Sequence, residues 1–243
     1  MEIPAQNPGE NILCIDIGGS NIKTSVINAD GQLLVPYQKV ATPVPSSPAA
    51  ITEAIKGLIK NIQGYDKVSV GFPGYVKQGV IYTAPNLGTE LWEGTDFARN
   101  LGATLGKPVR VVNDADMLGL GIVSGKGFEM VVTLGTGFGT AFTKNGILLP
   151  HLEVAHHIVA KDKDYDEYIG DAALIRKGEE QWNHRMKKVL AMVKTVFNYD
   201  TLHIGGGNAK KLNFPLDPNV KLFTNKEGIK GGYRLWQLPE DAL

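Results

Sequence analysis

The chain has 243 residues, with 25 Lys and Arg against 25 Asp and Glu, 43% hydrophobic residues and one Cys. Its apolar content and balanced charge exclude a disordered chain, and one Cys excludes a disulfide scaffold and a thiolate zinc cage. Zero net charge argues against a nucleic-acid coat, no apolar run reaches the ~20 residues of a membrane span, and residues 1–10 lack the basic and apolar regions of a signal peptide. The expectation is a cytoplasmic globular protein with no membrane or nucleic-acid partner. Two features remain to be explained. Glycine is in excess, at 29 residues, and the charge is uneven. Residues 1–171 carry 13 basic and 18 acidic side chains, and residues 172–243 carry 12 and 7. The basic back third suits either an anionic ligand or a solvated helix face bearing Arg185, Lys187, Lys188 and Lys194.

Asn11 to Ile17 reads as a buried strand that ends in Gly18-Gly19-Ser20. Asn21 to Asn28 resumes the alternation, Asp30-Gly31 signals a hairpin, and Gln32 to Val40 is the return strand. Ser47-Pro48 opens a helix to about Ile62, with Ile51, Ile55, Ile59 and Ile62 on one face. Lys67 to Phe72 is a short strand closed by Pro73-Gly74. Thr95 to Leu105 is a helix, Val109 to Val112 a strand and Ala115 to Val123 a helix. Glu129 to Leu134 is a strand stopped by Gly135, Gly137 and Gly139, and Thr140 to Thr143 follows as another. Lys144-Asn145-Gly146 is a second hairpin turn. Tyr165 to about Phe197 is mostly helical with a break near Gly178, and Leu202 to Ile204 is a strand running into Gly205-Gly206-Gly207. Strands mixed with crossover helices indicate an α/β protein. The pattern of strand, glycine turn with Ser or Thr, strand, hairpin and strand occurs twice, at 12–40 and 131–149. Two such turns facing each other would clamp a polyphosphate through their backbone N–H groups, whereas each alone is equally a tight turn needing glycine.

Five segments resemble, in order, the motifs of the hexokinase–actin–heat-shock ATPase superfamily, and more closely those of its ROK (repressor, open reading frame, kinase) sugar-kinase branch. They are Asp16-Ile17-Gly18-Gly19-Ser20, Gly71-Phe72-Pro73-Gly74, Asn113-Asp114-Ala115, Leu134-Gly135-Thr136-Gly137-Phe138-Gly139 and Gly205-Gly206-Gly207. Within that branch, Asn86-Leu87 with Trp92 and Gly94, and the run from Tyr165 to Leu174 with Trp182, are similar to polyphosphate glucokinases. The resemblance implies two ribonuclease-H-like lobes with mixed five-stranded sheets and a cleft between them. The small lobe would be 1–112 plus a returning helix in 228–243, and the larger lobe 113–227. Two departures stand out. The clustered cysteines of the ROK zinc motif are absent, so no zinc site is expected, and the family's Glu-x-Gly-His appears as Glu153-Val154-Ala155-His156.

Phosphoryl transfer to an alcohol needs alignment, charge neutralisation and an acceptor for the hydroxyl proton. The resemblance makes Asp114 that acceptor, and its other reading is a helix N-cap. Asp16 would hold Mg²⁺, directly or through water, or else cap the bend as an Asx turn. Gly18, Gly19, Ser20, Gly135, Thr136, Gly137, Gly205, Gly206 and Gly207 would meet phosphates or nucleoside, and Lys23 would either reach a phosphate or face solvent. Asn86, Asn113, Glu153, His156 and Glu167 would read sugar hydroxyls. For His156 and His157 an exposed polar loop is the competing reading. Cys14 reads as an inert core residue, and Trp92, Trp182 and Trp236 serve packing or stacking. No P-loop, dinucleotide fingerprint or nucleophile elbow is present. The implied activity moves a phosphoryl group from ATP or polyphosphate, with Mg²⁺, to the 6-hydroxyl of glucose or a related hexose, in a homodimer. The alternatives are a non-catalytic sugar-sensing protein on the same fold and a kinase for another hexose or N-acetylhexosamine.

Overall fold

The computed structural model describes residues 10–224, 228 and 230–239. The signal-peptide reading, save for its last residue, and parts of the expected lobe limits at 225–227, 229 and 240–243 lie outside the described residues. Two compact units form, one from the residues up to Gly121 together with those from Gly228, the other from the residues between.

In the first unit β1 (Ile12–Ile17), β2 (Asn21–Ile27) and β3 (Leu33–Ala41) form an antiparallel meander. β4 (Lys67–Phe72) and later β8 (Val109–Asn113) add parallel to β1, giving the order β3-β2-β1-β4-β8. β1 is apolar on both faces because both are covered. Leu13, Ile15 and Ile17 join the core built with α1 (Pro48–Ile59), while Ile12 and Cys14 meet Tyr233 on the other side. Local chemistry starts α1: Ser47 Oγ accepts the Ala50 N–H at 3.3 Å and Pro48 occupies the first turn. Its buried stripe is Ile51, Ile55 and Ile59. Between β4 and β8 lie three two-residue strands, β5 (Val76–Lys77), β6 (Val80–Ile81) and β7 (Thr95–Asp96), followed by α3 (Phe97–Leu105); the four-residue helix α2 (Thr89–Trp92) precedes β7. Two residues are too few to display an alternation, so the sequence does not announce these strands. The helix α4 (Asp114–Ile122) packs with this unit, whereas the expected boundary at 112/113 assigned its residues to the second lobe. Arg234, on the returning helix Gly231–Arg234, ties it there by donating from Nη1 to Leu120 O at 2.8 Å.

The second unit repeats the plan. β9 (Phe128–Leu134), β10 (Phe138–Lys144) and β11 (Ile147–Leu148) form the meander, and β14 (Thr201–Gly205) and β15 (Val220–Leu222) add parallel, in the order β11-β10-β9-β14-β15. Both sheets are therefore mixed, five-stranded and identically ordered, as the duplicated pattern anticipates. A small hairpin, β12 (Ile158–Ala160) and β13 (Lys163–Asp164), leads into the helices. The long helical stretch is three helices, α5 (Tyr165–Ile169), α6 (Asp171–Lys177) and α7 (Glu179–Phe197). It breaks at Gly178, as expected, and also at Gly170, where the chain turns to let the Asp171 N–H donate to Gly135 O at 3.0 Å. Trp182 is fully buried, with Nε1 donating to Ile169 O at 2.7 Å. The basic residues of α7 are largely engaged within the unit. Arg185 stacks over Tyr168, Lys187 over Phe214, and Lys194 pairs with Asp217 at 2.7 Å. Among the described residues no helix is long and apolar enough to cross a membrane.

Glu129, fully buried at the start of β9, accepts the N–H groups of Ser124, Gly125 and Lys126 at 2.7–3.1 Å and lies 2.8 Å from His203 Nε2. Burial pushes its carboxyl up, but these donors outweigh burial and hold it below its ordinary value of 4.5. A depressed folded value means the stabilisation is complete above that pH and is lost as the pH falls through the lower folded value. The urea midpoint is thus expected to fall as the pH drops below 4.5. Glu129→Gln should be less stable by about 1.5 kcal/mol at neutral pH and show a flatter acid dependence.

Candidate active site

In the first unit the expected residues gather at the carboxyl ends of the parallel strands β1, β4 and β8, where open α/β sheets bind ligands. Asp16 is the penultimate residue of β1. Sheet register places it opposite Lys23, and the Lys23 ammonium lies 3.2 Å from Asp16 Oδ2 with both side chains about half exposed. Gly18-Gly19-Ser20 is the turn into β2. It is closed by the Gly18 N–H donating to Asn21 O at 3.0 Å and clamped by Thr42, whose hydroxyl donates to Gly18 O at 2.6 Å and whose N–H donates to Ser20 O at 3.1 Å. Asn86 packs against Gly19: a Cβ there would lie 3.3 Å from the Asn86 Cβ. The sugar-side loop and the first glycine turn are therefore neighbours. Lys23, Gly19, Ser20 and Asn86 are exposed.

At the end of β8 the two readings of Asn113-Asp114 separate. Asn113 is buried and acts as the cap: its Oδ1 accepts the Ala115 N–H at 2.8 Å and its Nδ2 donates to Gly74 O at 3.1 Å. Asp114 is the first residue of α4 and half-buried, and its Oδ1 lies 2.8 Å from the same N–H. Since Asn113 supplies a cap, the Asp114 carboxylate is not required for starting the helix.

The second unit carries the other set. Gly135-Thr136-Gly137 is the turn between β9 and β10, and Gly205 ends β14, the parallel neighbour of β9, so both glycine segments lie at the carboxyl ends of these two strands. Asn208 and Asp171, which sequence reasoning missed, join them. The Asn208 N–H donates to Leu134 O at 3.0 Å, and its Nδ2 donates to Asp171 Oδ1 at 3.2 Å and to Gly135 O at 3.4 Å. Thr136 and Gly207 are exposed.

Glu153 precedes the 3₁₀ turn Val154–His156. Burial pushes its carboxyl up, but the neighbouring His151 and the charge of His156 reverse this, leaving it below its ordinary value. His156 is exposed, with Nδ1 at 3.9 Å from Asp164 Oδ2. Ala155, which replaces the family's glycine, is 8% exposed and turned into the core of its unit, so its methyl is absorbed by packing.

Glu167 behaves differently from the expectation. It is exposed and completes a capping box with Asp164: the Glu167 N–H donates to Asp164 Oδ1 at 2.8 Å, and the Asp164 N–H donates back to Glu167 Oε2 at 3.4 Å. The carboxylate turned toward the glycine turn belongs to its neighbour Asp166. Asp166 Oδ1 accepts the Phe138 N–H at 2.7 Å, and a Cβ on Gly137 would lie 2.6 Å from that oxygen. Burial pushes the Asp166 carboxyl up, as do Asp164 and Glu153, against the pull of the Phe138 N–H and His156. The D-x-x-E pattern of a capping box at 164–167 is the sequence signal that could have separated the two acids.

Cys14 is buried and its thiol is pushed up to about 12 by burial, which makes it inert. All three tryptophans serve packing: Trp92 sits between Phe72 and Phe97 with Nε1 donating to Ser46 O, and Trp236 donates to Ser69 Oγ.

The profile of the ROK family matches residues 12–159. The polyphosphate glucokinase of Mycobacterium tuberculosis is 32% identical over 240 residues, spanning 94% of this chain and 88% of its own. The crystal structure of an inorganic polyphosphate/ATP-glucomannokinase from Arthrobacter sp. strain KM superposes with a TM-score of 0.82 at 30% identity, covering 93% of this chain and 98% of that one. A ROK family glucokinase from Streptomyces griseus, crystallised with glucose and AMPPNP, shares the fold with a TM-score of 0.73 at 20% identity, covering 93% and 98%. With its two identically ordered sheets, its five motifs at the strand ends and these relatives, the chain belongs to the ROK family.

Proposed function

We propose that this protein is a sugar kinase that transfers a phosphoryl group from ATP or inorganic polyphosphate to the 6-hydroxyl of glucose or a closely related hexose. The observation that carries the reading is the placement of two carboxylates, Asp16 and Asp114, at the carboxyl ends of β1 and β8 in a ROK chain. Asp114 accepts the proton of the attacking hydroxyl, a step that matters as the new O–P bond forms and the hydroxyl becomes acidic. The glycine turns at 18–20, 135–137 and 205–207 offer backbone N–H groups to phosphates, and Lys23 adds a cation. Asn86, Asn113, Glu153 and His156 hold the sugar, and Asp166 takes the place that the family resemblance implied for Glu167.

Mg²⁺ suits the donor set at Asp16. That ion keeps several waters and takes one or two carboxylates plus substrate phosphates, and Asp16 is a single half-exposed carboxylate already balanced by a cation. Among the described residues no group of three or more His, Cys, Asp or Glu could hold a metal on protein ligands alone. When bound with the donor, the ion neutralises phosphate charge. The same reading has the protein acting in the cytoplasm as a homodimer. The non-catalytic alternative is not favoured, because the similar relatives are glucokinases and polyphosphate glucokinases.

A coupled assay across hexoses and N-acetylhexosamines, each with ATP and with polyphosphate, tests the proposal. Glucose phosphorylation with at least one donor is expected. No turnover of any hexose with either donor in the presence of Mg²⁺ would refute it.

A further inference from the structure

His151 has no role in the family motifs and stands outside them in the sequence, yet the structure seats it beside one of the proposed sugar ligands. Its side chain is 5% exposed, and its Nε2 lies 3.4 Å from Glu153 Oε1. The segment between them is rigid: the Thr140 hydroxyl donates to Leu152 O at 3.0 Å, and the Val154 N–H donates to the same oxygen at 2.9 Å. The turn is then closed by the His156 N–H donating to Glu153 O at 3.2 Å. The imidazole and the carboxylate are thus held together by the backbone of one short turn, anchored to β10.

We propose that His151 is a positioning residue for the acceptor site, holding the Glu153 carboxylate oriented and charged so that it can accept hydroxyl hydrogens from the sugar. The inference rests on the sugar-kinase reading above. The charged groups around Glu153 are His151 and His156 on its own turn, Asp164 at the end of β13 and Asp166 on α5. Asp166 repels it, and burial also opposes its charge, so the histidines alone favour the ionised form. His156 is exposed and lies 3.9 Å from Asp164, which draws on its charge, whereas His151 is enclosed against Glu153. Removing His151 leaves burial and repulsion unopposed by their nearest counterweight. Glu153 then takes up a proton at higher pH and loses the capacity to accept from the sugar.

The test measures sugar binding by calorimetry and kcat/KM from pH 5 to 8 in the wild type, His151→Leu, His151→Gln and Glu153→Gln, and in the double variant H151L/E153Q. His151→Leu should weaken sugar binding and raise KM about tenfold, the loss typical of a charged hydrogen-bond partner, with kcat within about twofold. Its acid limb of kcat/KM should move to higher pH, because the free-enzyme carboxylate titrates higher. His151→Gln, which keeps an N–H, should recover part of the affinity. In the Glu153→Gln background H151L should add nothing beyond about twofold, since the residue acts through the carboxylate. An unmoved acid limb in H151L, or full additivity with E153Q, overturns the proposal. Should H151L not melt cooperatively, H151Q decides in its place: affinity and acid limb both equal to the wild type overturn it. If the wild type phosphorylates no hexose, the sugar-kinase reading fails; if it does so and the variants behave as wild type, only the role of His151 fails.

Discussion

Replacing Asp114 by Asn is expected to lower kcat by about a thousandfold while leaving sugar affinity within a fewfold of the wild type, the range expected for loss of a general base. The substitution keeps the side chain's size and its ability to accept at the helix start, and removes only its ability to take a proton. The local architecture makes the experiment clean. Asn113 bridges the end of β8 to Gly74 and accepts the Ala115 N–H alongside Asp114, so the start of α4 survives the change. The melting temperature should therefore stay within a few degrees of the wild type, since Asn keeps the side chain's size and its acceptor at the Ala115 N–H. The competing reading, Asp114 as a cap alone, makes the opposite forecast of normal turnover, with stability also kept because Asn caps as well as Asp. Steady-state kinetics with glucose and either donor, beside calorimetric sugar binding, separates the two. Substantial residual turnover in D114N would remove Asp114 from its proposed role.

The second large effect lies in the glycines of the second unit, where neighbours in sequence answer to different demands. Gly206 has φ +89°, and a Cβ on it would lie 2.4 Å from Leu134 O and 2.7 Å from Leu134 N. Those are backbone atoms of β9 and cannot swing away. Gly206→Ala is expected to destabilise by about 3 kcal/mol, combining backbone strain with overpacking. In a chain of this size that lowers the melting temperature by roughly 10 °C. Gly207 and Gly135 have ordinary φ values, and a methyl added at either would meet nothing within 4 Å, so the fold itself does not require glycine at these places. Alanine there should leave the melting temperature unchanged. If their backbones approach the donor's phosphates, alanine should raise the donor KM about tenfold and spare the sugar KM. Donor KM values equal to wild type in both G135A and G207A would dissociate these positions from donor binding.

The contrast among these glycines shows how far sequence alone reaches. A glycine run at the end of a buried strand is a local pattern, visible as a change from apolar alternation to small residues, and each proposed phosphate turn is legible for that reason. Which glycine serves the fold and which is left for a ligand depends on the atoms across from it. For Gly206 those atoms belong to Leu134, some seventy positions away in the chain. Similarly, Asp166 and Glu167 are adjacent acids with the same chemistry. Their opposite fates follow from about 100° of rotation per helical residue, which turns one toward the glycine turn and the other back to Asp164.

The repeated meander, the helices with a one-sided apolar stripe, the five ordered motifs and the lack of a cysteine zinc cage are all legible in the chain's residues, because each rests on neighbours along it or on composition. Tertiary packing alone shows that α4 belongs largely with the first unit, that Asn113 shares the capping of its first N–H with Asp114, that Asp166 rather than Glu167 faces the glycine turn, and that His151 is enclosed against Glu153. Each of these depends on partners brought together by sheet register and turn geometry, and those distances are set by packing rather than by spacing along the chain. The excess of glycine is resolved in the same way, as local freedom at Gly206 required by close packing and as open backbone at Gly135 and Gly207 that the fold alone does not explain.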